Sequence, residues 1–188
     1  MPFTYDFDLT RFTPAEAERI TGVNVTLQRD WRRRGFLPSN EGHARFDVFS
    51  LAKMRFLSAM AERGIGPAST EKYVDITMNA IAREALSGDR AVVGDRDGAP
   101  HLPMAIISRC SPLGGKMGRV IAAPIFVLFA DGSEWWDQSP DAAFNRKIEG
   151  EEWGALDGPV IMLDTRVLGV GIAARAGRPL VTVRRVDV

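Results

Sequence analysis

Between Thr13 and Leu86 the apolar positions recur at three- and four-residue spacing, and each run is bounded by a capping residue or a glycine. That period predicts helices. Thr13, Pro14 and Glu16 read as a capping box with proline at the first helical position. Ala17 and Ile20 face inward, and Gly22 closes the helix. A second helix is predicted from Asn24 or Val25 to Arg34, with Leu27 and Trp31 as its buried stripe and Gly35 as its stop. Phe36-Leu37-Pro38, the turn-rich Ser39-Asn40-Glu41-Gly42, and then Ala44, Phe46 and Val48 predict a two-stranded ribbon with its tip near Asn40–Gly42. Asp47 or Ser50 caps a third helix with Val48, Leu51, Met54, Leu57 and Met60 on one face, broken at Gly64-Ile65-Gly66-Pro67. A fourth helix, Ser69 to Leu86, carries two apolar rows: Val74, Met78, Ile81 and Ala85, and beside them Tyr73, Ile76 and Ala80. Two rows want two neighbours, and the seam of Val74, Met78, Ile81 and Ala85 is expected to be the contact with a second copy.

After Ser87 the pattern changes. A Gly/Asp/Pro-rich stretch runs to Pro103, and a domain boundary is placed there. Met104–Ile107, Arg119–Phe129, Val160–Leu163, Val167–Ala173 and Leu180–Val183 are short, β-branched and bounded by Gly, Pro or Asp, which predicts about five strands. Asp131-Gly132 and Gly177-Arg178-Pro179 read as turns, and Pro140–Ile148 as a short helix. The expected fold class is α+β. A helical unit spans residues 1–66, a connecting and dimerisation helix 67–87, and a small β-rich C-terminal domain 88–188.

Charge sharpens this picture. The 188 residues carry 24 Lys+Arg and 24 Asp+Glu, a net of zero. Residues 11–64, however, hold 10 basic against 6 acidic side chains, a local excess of 4 over the helical unit. Cys110 is the only cysteine, which excludes an intrachain disulfide and a multi-cysteine metal site and suits a cytoplasmic setting. The N-terminus has no basic-then-apolar leader pattern, and Val120–Ala130, the longest apolar stretch, is too short to span a bilayer. No membrane partner is expected.

The basic excess peaks in Leu27-Gln28-Arg29-Asp30-Trp31-Arg32-Arg33-Arg34-Gly35-Phe36-Leu37-Pro38, four arginines in six residues around one tryptophan. Such a helix suits the phosphate backbone of double-stranded DNA. Gln28 and Arg29 lie near its start and are the expected base readers, with Thr26 able to take either part. Arg32, Arg33 and Arg45 are expected on phosphates, and His43 on the wing edge. Residues 12–65 resemble the DNA-binding domain of the MerR family of bacterial transcription regulators. Leu27–Leu37 follows that family's T-L-R-x-Y-E-x-x-G-L-L element, with Arg29 on its arginine and Trp31 on its second aromatic position. Gly42-His43-Ala44-Arg45-Phe46 is similar to its G-Y-R-x-Y wing, although Ala44 stands at the wing arginine and Arg45 falls one place later. Ser50–Leu57 matches its D-L-x-x-L-x-F-I helix. The resemblance implies a winged helix-turn-helix that binds an operator. It does not imply metal sensing, since the cysteines of the metal-sensing members are missing.

Elsewhere the chemistry is thin. Cys110 and His101 lack a third partner, and Ser111 and Lys116 lack the strand that separates a serine–lysine catalytic pair. Gly114-Gly115-Lys116 lacks P-loop spacing. Glu149, Glu151 and Glu152 read as a solvated acidic loop, while Trp135, Trp136 and Trp153 around Phe144 read as core or an interaction surface. No catalytic residue, metal or cofactor is expected. The expected function is a sequence-specific transcription regulator acting as a homodimer on a pseudo-palindromic operator. A small-molecule or protein effector would belong to its C-terminal domain. The alternatives are an excision or architectural DNA-binding factor of mobile-element type, and an enzyme whose catalytic domain is the C-terminal half, which no motif supports.

Overall fold

Capping sets the helical register of the N-terminal part. In the computed structural model, which describes residues 3–39, 42–95, 101–113 and 123–187, helix α1 spans Pro14–Thr21. The Thr13 backbone N–H donates to Glu16 Oε2 at 2.7 Å, and the Glu16 N–H returns to Thr13 Oγ1 at 3.3 Å. Gly22 then takes a left-handed φ of 79°, which turns the chain. Helix α2, Val25–Arg33, starts under Asn24, whose side chain accepts from the Leu27 N–H at 2.8 Å. Helix α3, Val48–Ala61, is capped by Asp47. A turn of 3-10 helix, Pro67–Thr70, precedes α4, Glu71–Leu86, so the regular helix begins two residues later than Ser69.

The chain ends meet in one sheet. Strand β1, Phe3–Leu9, pairs antiparallel with β6, Val181–Asp187, from Phe3↔Asp187 to Leu9↔Val181. Strand β2, Val92–Gly94, lies parallel on the other side of β6. A second sheet has the order β4-β3-β5, all antiparallel, from β3 (Ile125–Leu128), β4 (Glu134–Asp137) and β5 (Ile161–Asp164). The Asp131-Gly132 turn joins β3 to β4 with Gly132 at φ 78°, as its sequence predicts. Helices α5 (Leu102–Cys110), α6 (Pro140–Glu149), α7 (Trp153–Leu156) and α8 (Thr165–Ala176) complete the described elements.

Four expectations are corrected. Met104–Ile107 and Val167–Ala173 are not strands but lie within α5 and α8, so the C-terminal half is mixed rather than β-rich. In α8 the buried set Thr165, Leu168, Gly169, Ile172 and Ala176 steps by three, one, three and four, which only a helix places on one face. The ribbon after α2 is also absent from the described residues. Phe46 instead exchanges both backbone hydrogen bonds with Phe12, at 2.8 and 2.9 Å, while Asn40 and Glu41 lie outside the described residues. Thirdly, the 87/88 boundary does not separate two cores. One apolar cluster runs from Phe12 to Val183 and takes in α1, α3, α4, α5 and α8.

The fourth correction concerns the seam on α4. Val74 is 5%, Met78 2%, and Ile81 and Ala85 0% exposed within the single chain. Helix α8 covers that face. A Cβ on Gly169 would stand 2.6 Å from Ile81 O and 2.7 Å from Ala85 N, so the two backbones touch where α8 has no side chain. The seam is therefore internal packing and offers nothing to a second copy. The other row reaches the β4-β3-β5 sheet through Tyr73, whose ring lies 5.7 Å from Phe126. Phe126 also meets Phe56 at 5.9 Å and Trp136 at 5.2 Å. On the opposite face of that sheet Ile125, Val127 and Phe129 pack with Ala143 and Ala155. No helix among the described residues is long and apolar enough to cross a membrane.

Candidate nucleic-acid interface

Helix α2 is anchored by what it buries. Trp31 is 2% exposed and belongs to the core, as its spacing with half-buried Leu27 predicts. Gly35, at φ 81°, stops the helix and turns Leu37 back into the core. The remaining face carries Thr26, Arg29, Arg33 and Arg34 into solvent.

A cleft of about 220 Å3 opens between this helix and residues 42–46. Arg29 and Arg32 line it from α2, and Gly42, His43 and Ala44 from the segment that follows. Four of the expected contact residues, Gln28, Arg29, Arg32 and His43, thus line one cleft, although His43 stands 14 positions beyond Arg29 in the chain. Exposed Thr26 precedes Arg29 by three positions, one helical turn. Arg45 is exposed beside this segment, with its Nη1 donating to the Ala44 carbonyl at 3.0 Å.

Asp30 tempers the charge. It pairs with Arg33 at 2.6 Å and with Arg34 at 3.5 Å. The Arg33 side chain remains 80% exposed, so that pair is weak and open to exchange for a phosphate. The Arg34 guanidinium also lies 4.9 Å from the centre of the Phe36 ring. Arg32 donates from Nε to the Pro38 carbonyl at 3.3 Å, which holds it toward the loop.

Gln28 is corrected. It is 1% exposed, and its Nε2 donates to Val23 O at 2.7 Å and to Pro14 O at 3.0 Å. It bolts the start of α2 to the start of α1 from the floor of the cleft, with its amide nitrogen committed to those two carbonyls. The signal was available in the sequence, since Gln28 falls between Val25 and Trp31 on the inward side of the helix.

The expected non-sites stand as follows. Burial pushes the Cys110 thiol above its ordinary pKa, which suppresses the thiolate, and His101 is exposed. Ser111 is 5% exposed and donates to Asn79 Oδ1 at 2.8 Å, tying α5 to α4. Gly114, Gly115 and Lys116 lie outside the described residues. Trp135 and Trp136 are half-buried, whereas Trp153 is 60% exposed. Among the described residues no group of three or more His, Cys, Asp or Glu side chains is placed to hold a metal ion.

Compared with known proteins, the chain matches no family model, no curated protein and no solved structure.

Proposed function

We propose that this protein is a sequence-specific, double-stranded-DNA-binding transcription regulator. The observation that carries the reading is the cleft in which Arg29, Arg32 and His43 converge beside exposed Thr26. A recognition helix set in a major groove contacts base edges with its first residues and phosphates with its flanks. Thr26 and Arg29 sit in the first two turns of α2, and Arg29 presents the two-pronged donor that suits guanine. Arg33, His43 and Arg45 take phosphate and sugar contacts around it, which position the protein without reading sequence. Residues 42–46 act as the wing of the winged helix-turn-helix.

A homodimer on two half-sites remains part of this reading, with its contact moved away from Val74, Met78, Ile81 and Ala85. The remaining exposed apolar residues include Val167 and Val170 on α8.

The test is binding to a site selected from random duplexes, read by fluorescence anisotropy across a salt series. Arg29→Ala is expected to weaken the selected site by about 1–3 kcal/mol and to relax preference at one base pair. Arg33→Ala should weaken all sequences alike and lower the salt slope by about one. Wild-type behaviour in both variants would remove α2 as the reader.

A further inference from the structure

A different part of α3 carries an unanswered charge. Arg55 is half-buried, and its Nη1 donates to the carbonyl of Thr21, the last residue of α1, at 2.9 Å. Its Nε–H is buried with no acceptor among the described residues. Burial, and then the positive charge of neighbouring Arg175, press its pKa below the ordinary value. Glu62 is the carboxylate closest in influence, but it accepts from Ser58 Oγ at 3.3 Å and forms no ion pair with Arg55. A desolvated guanidinium held by one carbonyl, with a second arginine nearby, is costly unless an anion completes it.

Arg55 lines a cavity of about 510 Å3 between α3, β5 and the start of α8. Exposed Arg63 lies on the same wall. The Glu62 carboxylate shares that wall, and the remaining lining side chains are apolar, including Val160, Met162, Leu163 and Leu168. The volume suits a small organic molecule, and apolar side chains with a few convergent polar groups are how such molecules are bound. Inorganic phosphate would leave most of these walls without a partner.

We infer that this cavity binds a small organic anion, a carboxylate or sulfonate on an apolar body, with Arg55 as the group that recognises the charge and Arg63 at the rim. The same guanidinium also holds Thr21 through its Nη1, one residue before the Gly22 turn into α2. Under the DNA-binding reading, on which this one consequence rests, the site is placed where an effector acts on the presentation of α2.

The experiment uses the full chain without DNA, so failure of the DNA reading leaves it standing. The probe is 8-anilinonaphthalene-1-sulfonate, followed by fluorescence, with octanoate and octylamine as competitors. Saturable binding is expected, displaced by octanoate and not by octylamine. Arg55→Met should weaken it at least tenfold, and so should Ala59→Phe, which fills the cavity while leaving Arg55 in place. Arg90→Gln, in the separate cavity lined by Gly88 and Pro179, should bind as wild type. Should Arg55→Met fail to fold, Ala59→Phe decides. The inference is overturned by the absence of saturable binding or by octylamine competing as well as octanoate. Unchanged affinity in folded Arg55→Met or Ala59→Phe, or a loss in Arg90→Gln, overturns it as well.

Discussion

Two side chains show how burial decides a residue's role. Gln28 and Arg29 are neighbours with similar recognition chemistry, yet one is 1% exposed and the other lies in solvent. Gln28→Ala removes two hydrogen bonds to carbonyls of the α1–α2 junction, so a stability loss of about 1–3 kcal/mol is expected in urea denaturation. Base preference should be unaltered. Under the DNA-binding proposal, a stable variant with altered base preference would return Gln28 to the contact surface. Glu16 supplies a prediction in pH. Its carboxyl is held below the usual carboxylate range first by the Thr13 backbone N–H and then by the Thr13 hydroxyl, with Arg178 and Arg19 adding smaller effects. A depressed folded pKa adds stability above the unfolded value and loses it as pH falls through the folded one. Melting temperature should therefore decline through the acid limb, between about pH 5 and pH 2, and less steeply in Glu16→Gln, whose neutral amide keeps the cap without titrating. Identical acid limbs would show that the cap contributes nothing to pH dependence.

At the scale of elements, local signals fixed α1 to α3, because Thr13, Asn24 and Asp47 cap and Gly22 and Gly35 stop without help from distant residues. Helix α8 had no such advantage. Its two interior glycines and β-branched Val167, Val170 and Ile172 weigh against a helix locally, and contact with α4 overrides them. Gly169 is what permits that contact. An added Cβ would meet Glu84 Cβ at 2.5 Å and Ile81 O at 2.6 Å. Gly169→Ala is expected to cost about 1–3 kcal/mol by forcing α8 off α4. Gly171, two residues on, would place its Cβ no closer than 3.4 Å, to the flexible end of Arg175. Gly171→Ala should raise stability by roughly 0.5–1 kcal/mol through helix propensity. Chemical denaturation of the pair tests the close packing, and equal effects would discard it.

At the largest scale, the described residues are closed by the pairing of β1 with β6. Strand β1 leans on β6, and the α8–β6 turn grips the N-terminal helices. Arg178 pairs with Glu16 at 3.1 Å and donates to Arg11 O at 3.0 Å, and Arg19 donates to the carbonyls of Arg175 and Ala176. A fragment of residues 1–87 would lose α8 and β6 and expose Met78, Ile81 and Ala85. It is expected to lack a cooperative thermal transition by circular dichroism, and a sharp melt with dispersed amide resonances would restore an independent N-terminal domain. The sequence by itself determined the caps, the glycine stops, the Asp131-Gly132 turn, the burial of Trp31 and the exposed arginines of α2. Each of these follows from residues within one or two turns of one another. Tertiary structure alone decided that the apolar seam of α4 is filled by α8 and that Phe46 pairs with Phe12. It also left Arg55 half-buried on the wall of a cavity beside β5. Those outcomes depend on partners tens to more than a hundred residues away, and periodicity states that a face must be covered without saying what covers it.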